Sequence, residues 1–209
     1  MKKRILSMFL SAIIIFIIIM SPIQGNVMVA AAASDKTKVK TTVNNYFKAA
    51  KKYDVKKMNK YVKNTDDYDP SELYAYSAFR NYIKTRNKSL NYSVQKVAVK
   101  GSNATVTVKC KYLDSSKTYE QAFTNLLLFA IINYDKDYSE KELLREFNTI
   151  FKLTIKDNKS AYAKKYKTKT FKIKLVKEKG SWKINKMTYD LANSVTANFY
   201  KAANSIFSD

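Results

Sequence analysis

The first half of the chain has a helical spacing of apolar residues. Apolar residues recur three or four positions apart, at Val39, Val43, Tyr46, Phe47, Ala50 and Tyr53. This period predicts an amphipathic helix. Asp54 is a capping residue for a second helical segment, whose apolar side is Val55, Met58, Tyr61 and Val62. The run Asp69-Pro70-Ser71-Glu72 combines a capping aspartate, a first-turn proline and a following glutamate, and it predicts a third helix that ends near Asn87.

The period then changes to two, which is typical of strands with one buried face. The alternation that begins at Tyr92 shifts phase before Val97, so a bulge is predicted between these residues. A turn pattern at residues 100–103 precedes a second alternating run from Ala104 to Tyr112. The two runs together predict a β-hairpin with one buried face.

Helical spacing returns over residues 118–165, where Ser139 and Glu142 form a capping box. A second hairpin follows over residues 170–184, with Lys179-Gly180 as its turn. A last amphipathic helix is predicted after Asp190, with apolar residues at Leu191, Val195, Phe199, Ala202 and Ile206. This order predicts the α+β class: N-terminal helices pack on an antiparallel sheet of two hairpins, with a helical insertion between the hairpins and a C-terminal helix.

The N-terminus has the composition of an export signal. Three basic residues precede an almost wholly apolar run, Ile5 to Met20, and then come Pro22 and a group of alanines that ends at Ala33. This order predicts a signal peptide over residues 1–33, cleaved after Ala32 or Ala33, and a single domain over residues 34–209. The expected location is outside the cytoplasm, secreted or associated with a Gram-positive cell envelope. An uncleaved N-terminal anchor is the alternative.

The chain is strongly basic, with 39 Lys and Arg residues against 17 Asp and Glu and a net charge of +22. Removal of three basic residues with the signal would leave about +19. Such a charge favours an anionic partner. However, the basic residues are nearly all Lys, and Lys, Asn, Ile and Tyr have A/T-rich codons. An A/T-rich genome would therefore produce a similar composition without selection for binding, and both interpretations stay open.

Several kinds of chemistry are excluded by composition. The chain has no histidine, which excludes Ser-His-Asp and Cys-His arrangements and zinc sites of Cys and His. Its three glycines are isolated from one another, so there is no glycine-rich phosphate loop. The single cysteine, Cys110, lies on the inward phase of a predicted strand and is interpreted as a core residue. No cofactor is predicted.

The carboxylates form two loop groups, Asp66, Asp67 and Asp69, and Asp135 and Asp137. The second group lacks the central glycine and closing glutamate of a calcium loop. Both groups are interpreted as solvated loop acids and helix caps, and no metal site is predicted.

Lysines on the outward phase of the two hairpins form the candidate anion-binding face. These are Lys109, Lys111, Lys172, Lys174 and Lys183. Such a face would attract an anionic polymer with low specificity and a strong dependence on salt. Single-stranded nucleic acid is disfavoured, because the aromatic residues Tyr112, Phe171 and Trp182 fall on the opposite phase. The alternative is that these lysines only keep the sheet soluble and unpaired.

Two stretches, "KKYDVKKMNKYV" (Lys51 to Val62) and "KEKGSWKINKM" (Lys177 to Met187), resemble small exported bacterial members of the nuclear transport factor two-like superfamily. The resemblance covers most of residues 38–190, and the helical insertion departs from the family pattern. It implies a cone-shaped domain whose curved sheet and helices enclose a pocket. Members of such a superfamily include enzymes, ligand-binding proteins and assembly modules, so the fold does not choose the function.

Two classes of function therefore follow from the sequence. The first is a non-enzymatic envelope module that binds an anionic cell-wall polymer or another envelope protein, with membrane contact only through an uncleaved signal. The alternative is a small-molecule enzyme, of the isomerase or dehydratase type, that uses an Asp and a Tyr in a pocket. A homodimer is a further hypothesis, formed through the apolar residues Leu126 to Ile132.

Overall fold

A computed structural model of the chain describes residues 29–65, 68–157 and 165–207. The helices in these ranges are α1 (Val29–Lys51), α2 (Val55–Asn59), α3 (Ser77–Asn87), α4 (Ser116–Ile132), α5 (Glu140–Asp157), α6 (Tyr189–Val195) and α7 (Phe199–Phe207). The strands are β1 (Val62–Asn64), β2 (Asn91–Lys100), β3 (Asn103–Leu113), β4 (Tyr166–Glu178) and β5 (Ser181–Lys186). The predicted signal falls outside the described residues except for the backbone of 29–33, so export stays a prediction.

The five strands form one open sheet in the order β1-β5-β4-β3-β2. The two predicted hairpins are present and join through antiparallel pairing of β3 with β4. The α+β class is therefore confirmed. The sheet is mixed rather than wholly antiparallel, because β1 pairs parallel with β5. Val62 was expected in a helix, and that expectation was wrong. The carbonyl of Tyr61 accepts a hydrogen bond of 2.8 Å from the backbone N–H of Ile184, which holds this segment at the sheet edge.

The structure contains the bulge and the hairpin turn that the sequence predicted. The register of β2 against β3 shifts between Val94 and Lys96, where the bulge was predicted. At the second hairpin turn both Lys179 (φ 46°) and Gly180 (φ 80°) have positive φ angles. Two consecutive positive φ angles match the right-handed twist of the flanking strands in a two-residue turn.

One core lies between α1 and the inner face of the sheet. Phe47 of α1 stacks on Tyr92 of β2 with ring centroids 4.5 Å apart. Cys110 of β3 is fully buried in this core as a free thiol, as the sequence predicted. Burial raises the pKa of this thiol to about 12, so it is neutral and unreactive at physiological pH.

A second core is aromatic and joins four helices. Phe79 of α3 lies within ring contact of Tyr119 of α4, Phe151 of α5 and Phe199 of α7, at centroid distances of 5.6, 5.8 and 5.1 Å. The predicted helical insertion is thus packed into the domain. Ser139 and Glu142 form the predicted capping box, since the backbone N–H of Ser139 donates to the Glu142 carboxylate at 2.9 Å.

The third helix begins later than predicted. The capping pattern at Asp69 forms only a turn, in which Asp69 accepts a 2.8 Å hydrogen bond from the backbone N–H of Ser71. α3 starts at Ser77, and its cap comes from another helix: Asn148 Oδ1 accepts the backbone N–H of Ala78 at 2.7 Å. The tertiary cap satisfies a helix-start donor that no local residue reaches.

The C-terminal helix is two helices, so its prediction as a single element was wrong. α6 and α7 are separated by Ala197 and Asn198, which have φ angles of 55° and 69°. Left-handed backbone of this kind costs about 1–2 kcal/mol for a residue other than glycine. Contacts with β3 and with the residue before α4 hold it: the hydroxyl of Tyr112 donates to Asn198 Oδ1, and the Ala197 carbonyl accepts the N–H of Ser115, both at 3.0 Å.

The start of the first helix also differs from the sequence pattern. Helical spacing was visible only from Val39, yet α1 already begins at Val29. Asp35 fixes this first part to the last hairpin, because it accepts a hydrogen bond from the indole N–H of Trp182 at 3.1 Å and two from Lys177 at 3.0 Å. These donors, Trp182 first and Lys177 next, lower the pKa of Asp35 below its usual value.

Replacing Asp35 by asparagine is expected to destabilise the protein at neutral pH. The folded-state pKa of Asp35 is depressed, so its contribution is complete above the unfolded pKa and is lost as pH falls through the lowered folded pKa. The stability difference between the protein and Asp35→Asn should therefore disappear in acid. Denaturant titrations at neutral and acid pH measure this difference. A difference that does not change with pH would contradict the ionic role of Asp35.

Candidate functional site

The outer face of the sheet carries all five lysines of the candidate anion-binding face. In β3 the residues Ala104, Val106 and Val108 are buried, and in β4 the same is true of Ile173 and Leu175. Successive side chains of a strand point to opposite faces. Lys109, Lys111, Lys172, Lys174 and Lys183 therefore project from the other side, where no described helix covers them.

The register of the central strands pairs lysine with threonine. Lys109 lies opposite Thr170, and Lys111 lies opposite Thr168. On the neighbouring positions the order is reversed, since Thr107 lies opposite Lys172 and Thr105 opposite Lys174. Like charges directly opposite each other destabilise a sheet. This alternation therefore lets the face carry a high positive charge without any directly opposed lysine pair between β3 and β4.

Three further lysines extend the same face, which we call the lysine face from here on. They are Lys63 of β1 and Lys96 and Lys100 of β2. Sequence reasoning missed Lys96 and Lys100 because the bulge inverts the phase of β2, and it missed Lys63 because β1 had been predicted as helix. Among the described outward positions of the five strands the only carboxylate is Glu178, which forms an ion pair with Lys63.

The lysine side chains of this face differ in their contacts with the rest of the protein. Lys183 donates a hydrogen bond to the carbonyl of Lys60, and Lys111 lies 4.8 Å from the ring centroid of Tyr166. Lys109, Lys172 and Lys174 form neither a hydrogen bond nor an ion pair with the described residues, and all three are exposed. These three ammonium groups are therefore available to an external anion.

The aromatic residues of the hairpins lie on the inner face, as predicted. Tyr112, Phe171 and Trp182 are at most 7 % exposed. Tyr166, at the start of β4, is the exception, because its ring is on the outer face and 44 % exposed. One aromatic at the end of the sheet does not form the series of stacking surfaces that single-stranded nucleic acid uses.

The acidic residues concentrate on the helical side of the molecule. Asp135 and Asp137 lie in the turn between α4 and α5, and Glu140 and Glu142 begin α5. Basic residues occur on both sides of the molecule, including Lys136 and Lys141 beside these carboxylates, but among the described strands the outer sheet face has one carboxylate, Glu178. The positive potential of this face therefore depends on the distribution of charge and not on net charge alone.

Tyr112 and Asp114, an Asp–Tyr pair of the kind that the enzymatic alternative requires, lie near each other where the sheet meets the C-terminal helices. Tyr112 is buried and hydrogen-bonded to Asn198, and burial raises its pKa well above the ordinary range. For the nearby Asp114, burial alone would raise the pKa. Hydrogen bonds, one of them from the Ser116 backbone N–H, and the charge of Lys201 outweigh this and lower it. A general base that works at neutral pH needs a raised carboxyl pKa, so this pair does not favour acid–base catalysis.

The loop carboxylates form no metal site within residues 29–65, 68–157 and 165–207, where no three Cys, Asp or Glu side chains converge. Asp69 accepts hydrogen bonds from the Ser71 N–H and, at 3.3 Å, from the Thr65 hydroxyl. Its role there is to hold a turn. Asp66 and Asp67 lie outside the described residues.

No family model, curated protein or solved structure matches the chain. The resemblance to the nuclear transport factor two-like superfamily therefore stays a prediction. No helix in the described part of the chain has both the length and the apolar character needed to cross a bilayer.

Proposed function

We propose that this protein is a non-enzymatic module of the cell envelope that holds an anionic polymer, such as an anionic cell-wall polymer, on its lysine face. The observation that carries the proposal is the set of lysines that alternate with threonines on a sheet face without a described helix over it, where the single described carboxylate is already paired. Lys172 and Lys174 lie two residues apart on β4, which is about 7 Å along the strand. A polymer with closely spaced phosphates or carboxylates can engage several such groups at once.

The threonines between the lysines support the same ligand class. Thr105, Thr107, Thr168 and Thr170 place hydroxyl groups beside the ammonium groups, and a hydroxyl can donate a hydrogen bond to an anionic oxygen. Lysines that only protect a sheet from edge pairing would be expected on edge strands. Here Lys109, Lys172 and Lys174 lie on β3 and β4, which both have a neighbour on each side. Edge protection therefore does not account for them.

The proposal is tested by the binding of the purified protein, whose first residue is established by mass spectrometry, to Gram-positive cell walls. Walls with and without their anionic polymers are compared over a range of salt concentrations. Binding should require the polymer and should weaken as salt rises, because the contacts are exposed and screened. Failure to bind polymer-containing walls at low salt would overturn the proposal.

The variant Lys109→Glu/Lys172→Glu/Lys174→Glu should bind such walls about a hundredfold more weakly, if each lysine contributes roughly 1 kcal/mol near an anionic surface. The matched control is Lys40→Glu/Lys48→Glu/Lys52→Glu, which changes the net charge equally at exposed positions of α1 and just after it. It should bind much more tightly than the first variant. Equal losses in both variants would show that net charge, and not the sheet face, causes binding.

The enzymatic alternative would use Tyr112 and Asp114. The lowered pKa of Asp114 does not favour this alternative.

A further inference from the structure

The second half of α4 exposes a continuous group of large apolar side chains. Leu127 is 42 % exposed, Leu128 51 %, Ile131 66 % and Ile132 73 %. Leu127 and Ile131 are four positions apart, as are Leu128 and Ile132, so the members of each pair adjoin on the helix surface and the two pairs form one stripe. Tyr134, two residues after the end of the helix, is also 73 % exposed. We call these five residues the α4 patch.

The size of the α4 patch separates it from scattered exposed apolar residues. Most other large apolar side chains in the described part of the chain are buried in the two cores. Five large side chains exposed to this degree leave an apolar surface on the order of 500 Å², which is near the upper limit for a monomeric soluble protein. A patch of this size on a soluble protein is often functional.

The charges beside the patch indicate its partner. The exposed stripe of α4 begins with Lys117, while Asp135 and Asp137 follow its end and Glu140 and Glu142 lie next along the chain. Lys117 forms an ion pair with Glu120 at 2.7 Å, so the first end of α4 has no net charge, whereas the other end is followed by these four carboxylates with only Lys136 and Lys141 among them. A parallel copy would place the two carboxylate groups side by side. An antiparallel copy separates the two groups and brings each close to the Lys117 of the other copy. Carboxylates around the patch also disfavour an anionic lipid surface.

We propose that the protein forms a twofold symmetric dimer in which the α4 patches of two copies pack antiparallel. The axis lies between positions 129 and 130, so that Leu128 faces Ile131 of the second copy and Leu127 faces its Ile132. Each Lys117 then lies near the first turn of α5 of the other copy, where Glu140 and Glu142 are exposed. A twofold interface of this kind is self-complementary and closed, as in most homodimers.

The patch is smaller than the roughly 800 Å² per partner of a standard interface, so a dimer of moderate affinity is expected. Such a dimer would present two lysine faces to one polymer and increase its avidity. That consequence rests on the proposed function, but the dimer itself does not.

Sedimentation velocity over a concentration series tests the dimer directly. The purified protein should shift from monomer to dimer as its concentration rises. The double variant Leu128→Asp/Ile131→Asp should raise the dissociation constant of the dimer at least a hundredfold. Both residues are exposed in the single copy, so circular dichroism and thermal unfolding of the variant should be unchanged. Tyr166→Asp, which changes an exposed ring on the sheet face, is the control and should still dimerise. A protein that remains a single copy at its highest soluble concentration would overturn the proposal.

Cross-linking tests the antiparallel arrangement. A cysteine at Leu128→Cys should be linked between copies by a bis-maleimide that spans about 10 Å, the distance between packed helix axes. A cysteine at Gln121→Cys should not be linked, because antiparallel packing separates the two copies of this position by about 25 Å along the helix. The native Cys110 is buried and does not interfere. Linkage at both positions would indicate a parallel pair and overturn the geometry. Wall binding is a separate measurement, so loss of the dimer and loss of the lysine-face function can be told apart.

Discussion

Replacing Phe79 by alanine is expected to lower the free energy of unfolding by about 3–5 kcal/mol. Phe79 is 1 % exposed, and its ring contacts aromatic residues of three other helices, Tyr119, Phe151 and Phe199. Truncation removes the transfer free energy of the ring and leaves a cavity between large, rigid side chains. Because these neighbours come from separate helices with many mutual contacts, the cavity cannot close without moving whole elements.

Denaturant unfolding followed by circular dichroism and by tryptophan fluorescence measures this effect. Trp182 reports on the sheet core, while circular dichroism reports mainly on the helices. If the two cores form one cooperative unit, both signals should shift together in Phe79→Ala. The control is Leu153→Ala on the outside of α5, where the side chain is 52 % exposed and the change should cost less than about 0.5 kcal/mol. A shift of the helical signal alone would show that the aromatic core unfolds independently of the sheet.

The hairpins could be predicted because their signals are local. Strict alternation in residues 170–175 and the turn at Lys179-Gly180 depend only on neighbouring residues and on the pleat of a strand. The same holds for the bulge in β2 and for the capping box at Ser139. In each case the residues that determine the structure lie within a few positions of one another, so no tertiary contact needed to be known.

The predicted bounds of helices and strands were wrong where a residue distant in the sequence determines the local structure. The start of α3 depends on Asn148, which is 70 positions away from the N–H of Ala78 that it accepts. The break between α6 and α7 depends on Tyr112 and Ser115, and β1 exists only because β5 offers a free edge beside it. Helical spacing continues through Ala197 and Asn198, so the periodic pattern contains no sign of the break.

Only part of the lysine face could be predicted, because the order and register of the strands depend on distant residues. Alternation fixes the phase of Lys172 and Lys174 within one strand, and the structure places them together with Lys109 because β3 and β4 are neighbours. Which strands are neighbours, and in which register, is a tertiary property. The lysine–threonine pairing therefore could not be derived from spacing, and neither could the contact between Lys183 and the carbonyl of Lys60.

Asn87 provides the second large expected effect on stability. It is 2 % exposed, and its side-chain Nδ2 donates hydrogen bonds of 2.8 Å to the carbonyls of Ala50 and Val195. These carbonyls belong to the ends of α1 and α6, so one amide group satisfies two helix ends at the point where three helices meet. In Asn87→Ala the Val195 carbonyl loses its donor, whereas the Ala50 carbonyl loses one of two, because it also accepts the backbone N–H of Tyr53 at 2.9 Å. An unsatisfied buried group costs about 1–3 kcal/mol and a lost hydrogen bond about 0.5–1.5 kcal/mol, so a loss of about 2–4 kcal/mol is expected.

The variant Asn87→Asp separates hydrogen bonding from the filling of space, because aspartate has nearly the same shape but no donor when ionised. At neutral pH it should be at least as unstable as Asn87→Ala, since a carboxylate would then face two carbonyl oxygens. Its stability relative to the wild type should recover partly in acid, where the protonated carboxyl can donate one hydrogen bond. Asn81→Ala, at an exposed position of the same helix, should change stability by less than about 0.5 kcal/mol. If Asn87→Asp were as stable as the wild type at neutral pH, Asn87 would act only by its volume, and the junction of α1, α3 and α6 would rest on packing rather than on this amide.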